Sequence, residues 1–272
     1  MLEWLVRMAK SDHSVLRITV EVFSLEAELR QMTARALERS GFSRVHATRS
    51  YERTLLLDLS PSEEALFAGL HKNARQGVRN ITRYPVRVTT VSSTELAPRL
   101  QQLADETRGR TGGSRREIDW ESMIELSARA PQVSRLSMLQ RTDSNSPESV
   151  LAFAWGCMHG KVAEYSESGS IRSPDMKIST SYALLWDLIL WARRGGASYF
   201  DLGGITSGAT HSDDPLGGIS DFKRRFSQNE LDVGEQFELV VRRRRASVAA
   251  LVSRVAEAVA AKARGKLGAK SA

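Results

Sequence analysis

The stretch Tyr199–Phe226, YFDLGGITSGATHSDDPLGGISDFKRRF, constrains this chain more than any other. Ser198 to Asp201 reads as a short buried strand that ends in a carboxylate. Gly203 and Gly204 then suit a turn, followed by a polar loop with His211, Asp213 and Asp214. The chain returns through Ile219 into a short helix that carries Asp221, Phe222, Lys223, Arg224, Arg225 and Phe226. A strand end, a loop and a cationic helix in immediate succession need a sheet beneath them, and loops held on such a scaffold are where chemistry concentrates.

The rest of the chain supplies that sheet. With 272 residues, 41% hydrophobic and 26% charged, it has the composition of a globular protein with a sizeable core. Its single cysteine, Cys157, excludes an internal disulfide and lies in the apolar run Leu151–Met158, which predicts a buried, inert thiol. The opening MLEWLVRMAKSDH lacks the pattern of a signal peptide, and no run of about 18 apolar residues is present, so the expectation is a cytoplasmic protein. The net charge of +7 is uneven: residues 241–272 hold nine basic residues and one acid, leaving residues 1–240 at −1. A basic appendage of this kind suits RNA or an anionic membrane surface, or is a solvated helix. Val248, Leu251, Val252, Val255 and Val259 share one face of it.

Alternation predicts strands at Leu16–Val22 and Arg53–Leu59, with a helix over Leu25–Ser40 and a short strand near Phe42–His46 between them. Ser60-Pro61-Ser62-Glu63 opens a helix, with proline at its first position, that carries His71, Lys72, Arg75, Arg79 and Arg83 before Pro85 ends it. Beyond Pro85 the reading is a strand at Val86–Val91, helices at Ser93–Arg110 and Trp120–Ala130, and strands at Val133–Gln140, Val150–Met158 and Val162–Ser168. A helix over Ser179–Arg194, the strand at Ser198, the short helix near Phe222 and a strand at Gln236–Val241 complete it. The order β-α-α-β-β-β-α-β-α-β resembles a GNAT-type acyltransferase domain, an α/β (α+β) mixed sheet flanked by helices. The expected division is a truncated N-terminal GNAT-like half-domain over 1–84, a complete GNAT-like domain over 85–241 and a basic helical tail over 242–272.

Three stretches resemble the Fem (FemABX) family of aminoacyl-tRNA-dependent peptidyltransferases: RTLLLDLSPSEEALFAGLHKNARQGVRN, SYALLWDLILWARRGGASYFDLGGI with its Tyr-x-Leu-x-Trp and Tyr-x-Asp-x-Gly-Gly-Ile patterns, and GISDFKRRFSQNELDVGEQFEL with Phe-Lys-x-x-Phe. Together they span roughly residues 50–240. The resemblance implies transfer of an amino acid from aminoacyl-tRNA, as co-substrate and with no cofactor, to an amine of a peptidoglycan precursor or a small peptide. Two positions depart from the pattern: the family's opening elements are missing before Leu16, and Ser227 stands where glycine is usual.

Aminoacyl-tRNA is already an activated ester, so positioning and charge stabilisation can supply most of the acceleration without a covalent intermediate. The resemblance assigns Lys223 to the charge on the tetrahedral intermediate or the leaving ribose oxygen; read without it, Lys223 is one of three adjacent cations on a solvated helix. Phe222 would stack beside the terminal adenosine or the aminoacyl group, or serve as a core aromatic. Asp201 would take the amine proton or orient a neighbour, or hydrogen-bond the glycine turn. Arg224 and Arg225, with Lys72, Arg75 and Arg79, are candidates for tRNA phosphates, or are solvated surface charges. In the loop Ser166–Thr180 either Arg172 or Lys177 would face acceptor phosphates, with Tyr182 lining the site or the core. The five histidines lack metal-ligand spacing, so no metal is expected. A CoA-dependent N-acyltransferase is the rival reading, but Ser168–Thr180 lacks the glycine pattern that cradles pyrophosphate. A non-catalytic RNA- or membrane-binding protein led by the basic tail is the third.

Overall fold

The computed structural model describes residues 2–45, 52–111, 116–171, 179–206, 214, 216–249 and 251–252. In chain order the elements are α1 (Leu2–Ser11), β1 (Arg17–Phe23), α2 (Ala27–Arg39), β2 (Ser43–Val45), β3 (Arg53–Asp58), α3 (Glu63–Gly69), α4 (Lys72–Asn80), β4 (Val86–Thr90), α5 (Ala97–Arg110) and α6 (Trp120–Arg129). They continue with β5 (Ser134–Arg141), β6 (Val150–His159), β7 (Val162–Ser170), α7 (Thr180–Arg194), β8 (Tyr199–Ile205), α8 (Gly217–Arg224), β9 (Glu230–Asp232) and β10 (Gly234–Val240).

The chain divides into two compact units, residues 1–52 with 232–272, and residues 53–231. In the smaller unit β10 lies between β1 and β2, antiparallel to both. Apolar residues of the alternating β1 pattern, Ile18, Val20 and Val22, join Ala34 and Leu37 of α2 around Phe237. Residues 243–249 and 251–252 are helical, and the remainder of the expected tail helix lies outside the described residues.

The larger unit holds a seven-stranded sheet in the order β4-β5-β6-β7-β8-β3-β9. Its neighbours are antiparallel from β4 through β7 and between β3 and β8, whereas β7 and β8 are parallel. One face packs on α7, where Leu184, Leu185, Leu188 and Ile189 meet Leu139, Ala152, Ala154 and Phe200. Leu100, Leu103, Trp120 and Ile124 of α5 and α6 cover the other face against Leu136, Val150 and Phe153. A mixed sheet flanked by helices is thus the observed architecture.

Several elements differ from expectation. The boundary does not fall at residue 84: β3 pairs with β8 and α4 packs against α7, so residues 53–84 are part of the larger unit. The last strand, expected at the end of the C-terminal domain, belongs to the smaller sheet. The helix expected from Ser60 to Arg83 is broken at Leu70, whose extended backbone turns its side chain into the core. His71 then caps a new helix by accepting from the Asn73 amide at 3.2 Å. Helix α1 was not expected from the sequence. The strand at Ser198 runs on to Ile205, through both glycines.

Candidate active site

The extension of β8 creates the geometry around Lys223. Parallel pairing of β7 with β8 covers only Val162–Glu164 against Tyr199–Asp201, although β7 continues to Ser170 and β8 to Ile205. Past Asp201, β8 pairs only on its other side, with β3, where the register shifts between Thr54 and Leu56. The extra residue of this bulge is on β8, and Gly203 absorbs it with φ of +80°, a left-handed conformation that a side chain would strain. The Asp201 carboxylate fixes the bulge: its Oδ1 accepts from the Gly203 amide at 2.7 Å and from the Thr54 hydroxyl. Burial pushes the Asp201 carboxyl up from its ordinary pKa, against the opposing pull of those two donors.

Lys223 of α8 reaches this bulge. Its Nζ donates to the Gly204 carbonyl at 2.7 Å and lies 3.2 Å from the place a Cβ on Gly203 would take. The same Cβ position is 3.6 Å from the Tyr165 carbonyl oxygen of β7, so the ammonium is seated where β7 and β8 cease to pair. Only 9% of Lys223 is exposed. Burial lowers its pKa from 10.5 to about 8, while the charge of Asp201 works the other way. A cation held dry, close to neutral pH in its titration and aimed at a break in the sheet can stabilise a developing anion or hand over a proton.

One residue before Lys223, Phe222 joins an aromatic cluster with Tyr182 and Phe226, at centroid separations of 5.2 Å to Tyr182 and 5.5 Å to Phe226. Tyr182 is buried in α7 and its hydroxyl accepts from Arg225, whose guanidinium also lies 5.9 Å from the ring centroid. Helix α4 can approach only because residue 77 is glycine: a Cβ there would lie 2.7 Å from the Tyr182 Cγ. Between α4 and the start of α7 a cleft of about 330 Å³ opens, lined by Asn73, Gln76, Asn80, Ser179, Tyr182 and Arg225 among others.

The structure therefore brings Tyr182, Phe222 and Arg225 together, places Lys223 beside Asp201, and joins the two groups through consecutive residues of α8. Other candidates have partners within the fold. Arg224 binds Glu230 at 2.8 Å and the Thr206 carbonyl at 2.7 Å. Arg75 donates to the Ala68 carbonyl at 2.8 Å and to that of Leu70, closing the end of α3, and Arg79 lies over the Phe67 ring at 5.0 Å. Lys72 is exposed at the start of α4. Arg172 and Lys177, with His211 and Asp213, lie outside the described residues. Cys157 is half-buried and not fully buried as the apolar run predicts, and that partial burial raises its pKa. Among the described residues no group of three or more His, Cys, Asp or Glu could hold a metal ion, and no helix is long and apolar enough to cross a membrane. Sequence reasoning missed Thr54, whose register opposite β8 is invisible locally, and Gly77, whose only signal is a glycine inside a helix.

Neither a protein-family model nor a curated protein sequence matches the chain. Among solved structures, FemX superposes with a TM-score of 0.68, at 13% identity, over 91% of this chain and 77% of FemX. The chain has a FemX-like GNAT fold. The C-terminal domain of a protein named as a lysylphosphatidylglycerol synthetase, from Agrobacterium fabrum, has a TM-score of 0.56 at 14% identity, over 87% of this chain and 72% of its own. L-PGS from Bacillus licheniformis follows with 0.53 at 14%, over 82% and 69%. At these identities the FemX likeness is one of architecture, and the chemistry rests on the residues above.

Proposed function

We propose that the protein is an aminoacyltransferase that moves an amino acid from aminoacyl-tRNA to an amine of a peptide acceptor, either a peptidoglycan precursor or a small peptide natural product. The observation that carries this reading is the buried ammonium of Lys223 at the separation of β7 and β8. The neutral acceptor amine attacks the ester carbonyl, forming the C–N bond and an oxyanion. Collapse breaks the bond to the ribose oxygen, which leaves with the proton that the amine gives up. Lys223 stabilises the oxyanion, and its lowered pKa suits it to protonate the leaving oxygen and recover that proton from the amine. Asp201 is a positioning residue: it holds the Gly203 bulge against which the ammonium rests. The cleft beside Tyr182 and Arg225, at the small end of the usual range for ligand sites, receives one of the two substrates through carboxamides and a guanidinium.

A likeness to FemX and to a domain named for a lysylphosphatidylglycerol synthetase supports an aminoacyl donor. The absence of a glycine cradle in Ser168–Thr180 disfavours CoA. The test incubates the protein with a mixture of charged tRNAs and candidate amine acceptors, with RNase and CoA controls. RNase-sensitive peptide product that falls by about 10²–10³-fold in Lys223→Ala supports the reading. RNase-insensitive, CoA-dependent product overturns it.

A further inference from the structure

The smaller unit carries ten of the fourteen large hydrophobic side chains that are exposed among the described residues, although it holds far fewer of those residues than the larger unit. The arrangement on α1 is two-sided. Leu2 and Val6 pack toward the core and Ala9 is buried, whereas Trp4 is 58% and Met8 49% exposed on the opposite side. A second set follows β10: Val248, Leu251 and Val252, each more than 60% exposed, lie on the helical residues 243–249 and 251–252, with Ala246 turned inward. Arg242 ties this segment to α1, donating to the carbonyls of Lys10 at 3.0 Å and Asp12 at 3.2 Å, and Arg245 donates to that of His13 at 3.0 Å. The two apolar sets are thus carried by segments joined at their ends.

Cations sit among these side chains. Arg7, Lys10, Arg243 and Arg244 are exposed, and Glu3 is the lone acid within residues 2–11 and 242–252. Exposed tryptophan and aliphatic residues beside arginine and lysine are the composition of a helix that lies in a lipid interface. A nucleic acid would be served by the cations but gives the aliphatic side chains no partner. A second copy docking the same surface would set like charge against like.

We propose that this surface of the smaller unit, α1 with residues 243–249 and 251–252, docks on an anionic phospholipid bilayer. The apolar side chains enter the headgroup boundary while the cations meet lipid phosphates. The surface is independent of the transfer chemistry, so its test reads partitioning and not activity. The full chain is sedimented with vesicles of phosphatidylglycerol and phosphatidylcholine, and with pure phosphatidylcholine vesicles. Expected is binding to the anionic vesicles that weakens with salt and is at least about tenfold weaker to phosphatidylcholine. Trp4→Ser with Leu251→Ser, and separately Arg243→Gln with Arg244→Gln, should each reduce it about tenfold or more, with unchanged melting since all four positions are exposed. Equal binding to both vesicles, no effect of either pair, or an effect on tRNA retention without one on vesicles overturns the proposal. So does a concentration-dependent dimer that disperses in the Trp4→Ser, Leu251→Ser variant while vesicle binding is absent.

Discussion

The ammonium of Lys223 lies 2.7 Å from the carbonyl oxygen of Gly204, at the point where β8 parts from β7. That contact orients a charge whose titration falls near pH 8. Activity that depends on the cation is full below that pH and is lost above it, while deprotonation of the acceptor amine works in the opposite sense. Single-turnover transfer should therefore follow a bell with its alkaline limb near pH 8. Lys223→Arg, which keeps its charge throughout, should lack that limb. Stability has its own sign: the unfolded chain keeps this proton up to pH 10.5 and the folded chain releases it near 8, so stability rises with pH across that window. Urea midpoints should show the rise in the native protein and a smaller one in Lys223→Met.

Asp201 is the negative charge that raises the pKa of Lys223. Asp201→Asn keeps an oxygen for the Gly203 amide but removes that charge, so the alkaline limb should move to lower pH. A purely structural role for Asp201 would lower the rate evenly and leave the limb in place. The pH profile of the variant separates the two.

Gly203 combines a positive φ with an ammonium 3.2 Å from its missing Cβ. Gly203→Ala should cost about 1–2 kcal/mol in backbone strain and displace Lys223 from its seat. Transfer should fall by more than tenfold, beyond what the loss of stability explains, when rates are compared with urea midpoints for the same preparation.

A methyl group at Gly77 meets the ring of Tyr182, which stacks on Phe226 and cannot withdraw freely. Gly77→Ala should destabilise by about 1–3 kcal/mol through overpacking. Adding Tyr182→Leu should recover part of that loss, a coupling that a double-mutant cycle in urea would measure.

Much of the scaffold is readable in the sequence because its signals are local. The apolar side of α7 and the alternation in β1 are each encoded within a few residues. The start of α3 is legible only roughly: Pro61 precedes the helix and does not open it, and Ser62 is the cap, accepting from the Ala65 amide. Lys223 is legible as one member of a cationic run, but its burial is not, since that depends on a bulge produced by pairing Thr54 with Gly204, 150 residues away. For the same reason the two glycines suggest a turn when read alone and are strand when paired. The basic residues of α4 show the converse: Arg75 and Arg79 look solvated in sequence, yet a helix end and an aromatic ring claim them.

The place of β10 between β1 and β2 has a consequence for vectorial synthesis. Both outer strands leave the ribosome long before the central one, with about two hundred residues of chain between β1 and its partner. At ordinary translation rates that is a wait of roughly 10–40 s. Throughout it, RITVEVF has no β10 to pair with and presents an adhesive edge. The larger unit, continuous from Arg53 to Leu231, meets no such delay, so the half that holds Lys223 is free to fold first on the nascent chain.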